Sequence, residues 1–218
     1  MKKVSLIALT LFFGLLTVSA REAQEWCSIN SYDANKNDLP RVIIIGDSIV
    51  SRYAGAVNGA LKGKAYMSMM ATSKAVGDPA LLEEIKTILS QYKYSVVHFN
   101  IGLHGFEPVA YRKGFPEMIE TIKKNAPGAK LIWRTTTPCK GDAPGSNVRK
   151  CNEIAAELVA KENISVDDLF GFVMSNSDKP EVLWDGGGVH FTDAGAALQG
   201  KHVAEEILKL MEAQAEKK

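Results

Sequence analysis

A serine and two histidines in glycine-rich segments are the side chains of this chain best suited to nucleophilic chemistry. Ser48 ends a stretch in which the apolar residues 42–45 predict a strand and Gly46 and Asp47 predict a turn. A helical pattern begins at Ser48, which leaves two roles open. Its side chain caps the helix, or its hydroxyl attacks a carbonyl while the helix N-terminus stabilises the oxyanion. The second role requires a general base.

The four histidines lie in different kinds of sequence. His98 is inside an apolar strand pattern, which predicts a packed, hydrogen-bonded core residue, and His202 is expected at the surface of the last helix. His104 and His190 lie in glycine-rich segments. Three consecutive glycines in the segment 185–195 allow its backbone to approach another group closely, which makes His190 the candidate general base.

The elements that must position these residues alternate between strand and helix. This alternation predicts an α/β fold, a three-layer α/β/α sandwich with a central parallel sheet of about five strands. Ligands gather at the carboxyl ends of such strands, where we expect Ser48 and the segments 102–104 and 135–138. Arg134 is expected on the strand surface, with a place beside the site as the alternative. The predicted strands cover residues 42–45, 65–70, 95–102, 130–138 and the start of 164–172, and the predicted helices cover residues 48–61, 78–92, 108–125, 148–163 and 192–213.

The first residues have the pattern of a secretory signal peptide. Lys2 and Lys3 precede the apolar residues 4–18, and small residues lead to a cleavage site after Ala20. The apolar run is shorter than the roughly 20 residues that span a bilayer, so cleavage is expected and an uncleaved membrane anchor is the alternative. We predict a signal peptide over residues 1–20, export to the periplasm or the cell exterior, and no stable membrane insertion.

The remaining chain is predicted to form an irregular N-terminal arm over residues 21–38, one domain over residues 39–213 and a charged tail over residues 214–218. Hydrophobic residues make up 46% and charged residues 23% of the sequence, which is the balance of a globular protein. The formal net charge of +1 gives no indication of a nucleic-acid partner. No cysteine or histidine spacing predicts a metal site.

Three cysteines remain after the predicted cleavage. Cys139 and Cys151 flank a Gly- and Pro-rich loop, and a disulfide between them would close that loop in an exported protein. Cys27 could instead pair with either of them, and three unpaired thiols are the further alternative. We expect the Cys139–Cys151 bridge.

Three separated motifs together resemble the GDSL, or SGNH, hydrolase family. They are Gly46-Asp47-Ser48, Gly102-Leu103-His104 and Val189-His190-Phe191-Thr192, and the similarity extends over residues 41–210. The chain has no Gly-x-Ser-x-Gly elbow, which is typical of the other large esterase fold. The resemblance implies the flavodoxin-like SGNH hydrolase fold for residues 39–213. It makes Ser48 the nucleophile, His190 the general base and the backbone N–H of Ser48 the first oxyanion donor.

The chain departs from the family pattern at its other oxyanion donors. The family's second donor is a glycine, and here the candidate zone is residues 71–73, centred on Thr72. The third donor is an Asn in a Gly-x-Asn segment that begins here at Gly102, and His104 takes its place. A histidine N–H can also donate, so we interpret His104 as a subgroup variant that keeps the oxyanion or substrate-binding role.

A second departure concerns the acid that orients the base. The family places an Asp three residues before the histidine, where this chain has Gly187, and Asp185 lies five residues before it. We expect the glycine loop to bring Asp185 to the far nitrogen of His190. The alternative is a Ser–His dyad whose ring is oriented by a carbonyl or a water molecule.

The resemblance implies a secreted serine esterase that needs no metal or organic cofactor. The expected partner is a small-molecule or carbohydrate ester with a short acyl group, and an acetyl group on a carbohydrate is the favoured case. Three alternatives remain: a non-catalytic carbohydrate-binding protein of this fold, an acyltransferase that uses the same Ser48 and His190, and a flavodoxin-like binding domain with an accidental Gly-Asp-Ser. The sequence leaves the oligomeric state open.

Overall fold

A computed structural model describes residues 23–105, 107–178 and 184–215. In those ranges a six-stranded sheet has the strand order β1-β3-β2-β4-β5-β6, and every pair is parallel except β1 with β3. The strands are β1 (Cys27–Ser31), β2 (Arg41–Gly46), β3 (Tyr66–Thr72), β4 (Val96–Phe99), β5 (Lys130–Arg134) and β6 (Ser165–Asp167).

Helices cover both faces of this sheet. On one face α2, α3 and α4 pack against Ile43 and Ile45 of β2, and on the other α1, α5 and α6 pack against Val42 and Ile44. The alternation within β2 follows from the two-residue period of a strand. The predicted three-layer α/β/α fold is therefore confirmed. The helices are α1 (Ser48–Leu61), α2 (Pro79–Leu89), α3 (Pro108–Asn125), α4 (Asn147–Lys161), α5 (Leu169–Ser175) and α6 (Asp193–Ala215).

The N-terminal arm contains a strand that the sequence pattern missed. Residues predicted to be irregular form β1, which pairs antiparallel with β3 so that Cys27 lies opposite Thr72. The prediction was wrong because most of β1 is exposed and polar, so it shows no apolar alternation. Hydrogen bonds to β3, which join residues distant in sequence, stabilise it. The sheet therefore has one more strand than the five parallel ones.

The predicted disulfide is absent from the structure, in which Cys27, Cys139 and Cys151 are all free thiols. Cys151 faces inward from α4 and is fully buried in the hydrophobic core, whereas Cys139 is half-buried in the loop after β5. Loop composition indicated a closure, but the side-chain direction at Cys151 follows from the apolar face of α4. Burial raises the pKa of the Cys151 thiol to about 11, with a smaller contribution from the charge of Glu107.

The predicted signal peptide, residues 1–20, lies outside the described residues, as do the last three residues of the predicted tail. None of the helices described in the structure is both long and apolar enough to cross a membrane.

A buried polar cluster lies between the sheet and α6. Asp167, at the end of β6, accepts a hydrogen bond from His98 Nε2 at 2.8 Å and another from His202 Nε2 at 2.9 Å. The core position predicted for His98 is confirmed. The surface positions expected for His202 and Arg134 were wrong, since His202 binds Asp167 and Arg134 is 1% exposed with its guanidinium 5.8 Å from the Tyr53 ring centroid.

The contacts in this cluster shift the pKa values of its three members in different directions. Burial raises the pKa of Asp167, but the hydrogen bonds from His202 and His98 outweigh that effect and the pKa is lowered. Burial lowers the pKa of His202, yet the hydrogen bond and charge of Asp167 raise it overall. Burial dominates at His98, whose pKa is lowered. His202 is therefore the histidine of this cluster that favours the charged form.

The ion pair between His202 and Asp167 predicts a pH-dependent stability. Because the pKa of His202 is raised on folding, its contribution is complete below the unfolded pKa of about 6.5 and is lost as pH rises through the folded pKa. In urea unfolding, we expect His202→Gln to reduce the free energy of unfolding more at about pH 6 than at about pH 9. Lys201→Gln, at an exposed neighbouring site, is the control. An equal reduction at both pH values would contradict the ion pair.

Replacing Gly102 by a larger residue should destabilise the fold, because its backbone packs closely against Thr136 after β5. A Cβ at residue 102 would lie 1.8 Å from Thr136 Oγ1 and 2.7 Å from Thr136 Cγ2. We expect Gly102→Ala to lower the free energy of unfolding by about 1–3 kcal/mol through overpacking, and by less in a Thr136→Ala background. Gly59→Ala, whose Cβ meets nothing within 4 Å in α1, is the control and should be neutral or stabilising. Chemical denaturation measures both, and equal effects at residues 102 and 59 would refute the contact.

Candidate active site

The turn between β2 and α1 places Ser48 at the first position of the helix. Gly46 permits this turn, because a Cβ there would lie 2.0 Å from Val50 Cγ2. The N-cap is Asp47, whose Oδ1 accepts a hydrogen bond from the Ile49 N–H at 3.0 Å. The capping role considered for Ser48 therefore belongs to its neighbour. The Ser48 hydroxyl therefore does not cap the helix and contacts His190 instead.

His190 lies against this hydroxyl. His190 Nε2 is 2.7 Å from Ser48 Oγ, although the two residues are separated by 142 positions. With the ring proton on Nδ1, Nε2 accepts the hydrogen bond from the Ser48 hydroxyl, which is the arrangement of a serine nucleophile and its base. The side chain of His190 is 32% exposed, so the pair is open to solvent and substrate.

The glycine-rich loop holds His190 through its backbone. The Asp185 N–H donates to the His190 carbonyl at 2.8 Å, and an antiparallel bridge joins Trp184 to Phe191 next to it. At the tip, Gly188 has φ +72°, a left-handed conformation that favours glycine. The Gly188 carbonyl accepts a hydrogen bond from the Lys140 N–H at 2.7 Å, which attaches the loop to the segment after β5.

Asp185 lies on the far side of the imidazole but not in hydrogen-bond contact with it. Its Oδ2 is 3.9 Å from His190 Nδ1 and 3.6 Å from Arg52 Nη2. Its Oδ1 accepts a hydrogen bond from the Gly187 N–H at 3.0 Å. Gly187, the family's usual acid position, therefore supplies a backbone donor instead. Asp185 Oδ2 thus lies between the Arg52 guanidinium and the His190 imidazole, without a close hydrogen bond to either.

The segment 102–104 is attached to the same turn as Ser48. Asp47 Oδ2 accepts a hydrogen bond from the Leu103 N–H at 3.3 Å, so one carboxylate joins this segment to the start of α1. The His104 imidazole packs edge-on against the Trp26 indole, with ring centroids 6.2 Å apart. Gly102 packs against Thr136, and its lack of a side chain allows this close approach.

The hydroxyl of Thr72 is bonded to the N-terminal arm and to the turn after β3. Its hydroxyl donates to the Trp26 carbonyl at 3.2 Å and accepts from the Lys74 N–H at 3.2 Å. The Ser73 N–H also donates to the Trp26 carbonyl, at 3.1 Å. The polar groups of Thr72 and Ser73 are thus occupied by the N-terminal arm and by the turn after β3. The backbone of Thr72 lies beside the turn that precedes Ser48, because the parallel pairing of β2 with β3 sets Ala71 opposite Gly46. Its oxyanion role stays a prediction.

Two residues near the site were missed at the level of sequence. Arg52 lies four residues after Ser48, a spacing that places both on one face of α1 and could have been noticed. Trp26 precedes β1 and reaches His104 only because the arm pairs with the sheet, which no local pattern indicated. Within the described ranges, no group of three or more His, Cys, Asp or Glu side chains could hold a metal ion.

Several solved structures are similar in fold to this chain. A lipase/acylhydrolase from Enterococcus faecalis matches with a TM-score of 0.62 at 18% identity, over 78% of this chain and 95% of that chain. A family 3 carbohydrate esterase from Talaromyces cellulolyticus matches with a TM-score of 0.62 at 12% identity, over 80% and 99%. A variant of an acetyl-xylooligosaccharide esterase from Geobacillus matches with a TM-score of 0.61 at 16% identity, over 77% and 94%.

These similarities show a shared fold, since all three identities are low. Curated protein sequences gave no match to this chain. The model of the GDSL-like lipase/acylhydrolase family, in contrast, matches residues 44–198, a range that includes both Ser48 and His190. The chain therefore belongs to the GDSL-like lipase/acylhydrolase family, a family of hydrolases.

Proposed function

We propose that this protein is an exported serine esterase that hydrolyses short-chain acyl esters through Ser48 and His190. The observation that carries the proposal is the 2.7 Å contact between Ser48 Oγ and His190 Nε2 at the carboxyl edge of the sheet. Export is supported by the signal-peptide pattern of residues 1–20. The chemistry requires no cofactor, because a serine and its base are enough for acyl transfer to water.

In the proposed mechanism, His190 Nε2 removes the hydroxyl proton as Ser48 Oγ attacks the ester carbonyl. The developing oxyanion is stabilised by the Ser48 N–H at the positive end of α1, and His104 is the candidate side-chain donor. Collapse of the tetrahedral intermediate breaks the bond to the alcohol oxygen, which takes the proton from His190. Water then attacks the acyl-Ser48 ester with His190 again as base, and the carboxylic acid leaves.

Asp185 is proposed to orient the base. The 3.9 Å separation from His190 Nδ1 is too long for a direct hydrogen bond, so Asp185 acts across a bridging water molecule or after a small side-chain rotation. Either arrangement keeps the proton on Nδ1 and stabilises the imidazolium that forms during attack. The effect of Asp185 should consequently be smaller than that of a directly bonded triad carboxylate.

The proposed substrate is an acetyl or similarly short ester, with a carbohydrate as the alcohol. An open site supports this, since His190 and Asp185 are each about one third exposed and a bulky alcohol can approach Ser48. Two structures of similar fold, described by their names as a carbohydrate esterase and an acetyl-xylooligosaccharide esterase, also support it. At these identities the likeness concerns the fold, so the substrate class belongs to the proposal alone.

The roles of these residues predict a graded loss of esterase activity. On para-nitrophenyl acetate, we expect Ser48→Ala and His190→Ala to lower kcat/KM by at least about 10³-fold. His104→Ala should lower it by up to about 10²–10³-fold, the range for one oxyanion donor. Asp185→Asn should lower it measurably, but by less than the roughly 10⁴-fold of a directly bonded triad Asp. Steady-state kinetics on folded variants measures all four.

Ser51→Ala is the matched control, because Ser51 is an exposed serine one turn along α1. Unchanged kcat/KM in Ser48→Ala would contradict the proposed nucleophile. A wild-type rate in Asp185→Asn would favour a Ser–His dyad. No turnover of para-nitrophenyl acetate or of acetylated xylan by the wild type would favour a binding protein, and preferential acyl transfer to an added sugar would favour an acyltransferase.

A further inference from the structure

Arg52 lies on the same helix as Ser48, and its guanidinium comes near Asp185 beside the site. Ser48 and Arg52 are separated by four residues in α1, which places their side chains on one face of the helix. Side chains in a helix lean towards its N-terminus, so the long side chain of Arg52 extends towards Ser48 and the space in front of it. A substrate bound to Ser48 therefore lies within reach of a guanidinium group.

The charge of Arg52 has only a loose partner. Its Nη2 is 3.6 Å from Asp185 Oδ2, which is beyond hydrogen-bond distance, and its side chain is 47% exposed. Among the described residues, the Arg52 guanidinium donates no hydrogen bond. It thus offers its fork of N–H donors to solvent, in a geometry that matches a carboxylate. An exposed arginine beside a nucleophile is well placed to select a substrate by charge.

Asp185 connects this guanidinium to the general base. Its Oδ1 is fixed by the Gly187 N–H, while its Oδ2 lies between Arg52 Nη2 at 3.6 Å and His190 Nδ1 at 3.9 Å. Both distances exceed hydrogen-bond length, so neither partner holds Oδ2 in a close hydrogen bond. A second anion on Arg52 would repel Oδ2 from Arg52 and towards His190.

We propose that Arg52 is a specificity-determining residue that binds a carboxylate on the ester substrate. The inference rests on the proposed esterase function and adds the substrate class, esters that carry an acidic group near the scissile bond. The substrate carboxylate accepts hydrogen bonds from the Arg52 guanidinium in place of Asp185. Asp185 Oδ2 then moves onto His190 Nδ1, so that binding of the acidic group and orientation of the base occur together.

The carboxylate can belong to the alcohol or to the acyl group, and matched ester pairs distinguish the two. For the alcohol side, para-acetoxybenzoate is compared with its methyl ester, which lacks the charge. For the acyl side, para-nitrophenyl hydrogen adipate is compared with para-nitrophenyl methyl adipate. In each pair the quantity of interest is the ratio of kcat/KM for the charged ester to that for the neutral ester. This ratio is divided by the ratio of the uncatalysed hydrolysis rates of the same two esters, which removes the difference in their intrinsic reactivity.

We expect the wild type to prefer the charged ester by about tenfold in at least one pair, the effect of one charge-assisted interaction at a half-exposed site. Arg52→Gln should reduce that ratio to about one, and Arg52→Lys should retain part of it. The control is Arg112→Gln, which removes an exposed arginine paired with Glu157 and should keep the wild-type ratio. Added salt should weaken the preference in the wild type.

A binding measurement separates this inference from the proposed function. In a Ser48→Ala background, calorimetry with para-acetoxybenzoate and with hydrogen adipate reports recognition without turnover, and Arg52→Gln should weaken binding of at least one by about tenfold. Equal loss on charged and neutral esters in Arg52→Gln would overturn the inference and assign Arg52 to positioning Asp185. Wild-type ratios near one in both pairs, or carboxylate binding unaffected by Arg52→Gln, would also overturn it. Failure of the esterase function alone would appear as carboxylate binding without hydrolysis of any ester.

Discussion

The site depends on the hydrogen bonds that the Asp47 carboxylate accepts. It is buried, and its two oxygens act in different directions: Oδ1 caps α1 at Ile49, and Oδ2 accepts from the Leu103 N–H. The start of the nucleophile helix and the segment that carries His104 are consequently held by one side chain. A buried charge with hydrogen-bond partners on two elements fixes their relative position more tightly than apolar packing does.

A second constraint brings the base from the far end of the chain. The Gly188 carbonyl at the tip of the loop before α6 accepts from the Lys140 N–H, and the base of the loop is closed by the Asp185 N–H to the His190 carbonyl and by the Trp184–Phe191 bridge. The path of the loop gives residue 188 a positive φ, which favours glycine at that position. The same bonds place Asp185 beside the imidazole without bringing it into contact. Loop geometry therefore accounts for the displaced acid.

Behind the site, the sheet carries a polar layer within an otherwise apolar core. Asp167 accepts hydrogen bonds from two histidines, one on β4 and one on α6, and so joins the sheet to the final helix that follows the His190 loop. At Asp167 the effect of burial is outweighed by the hydrogen bonds from the two histidines, which lower its pKa. The segment that precedes α6 carries His190, the proposed general base. The proposed chemistry and the buried network thus use different histidines of the same chain.

The sequence by itself determined the α/β/α architecture and the family of this chain. Strong apolar periodicity predicted α1 and α3 with their observed bounds, and separated motifs singled out Ser48 and His190, which the fold brings within 2.7 Å of each other. Tertiary structure alone decided what depends on contacts between distant residues. These are the pairing of β1 with β3, the burial of Cys151, the 3.9 Å gap at Asp185 and the place of Arg52 beside it. Local patterns encode which face of an element is buried, but relative positions of loops arise from long-range hydrogen bonds that no short stretch of sequence contains.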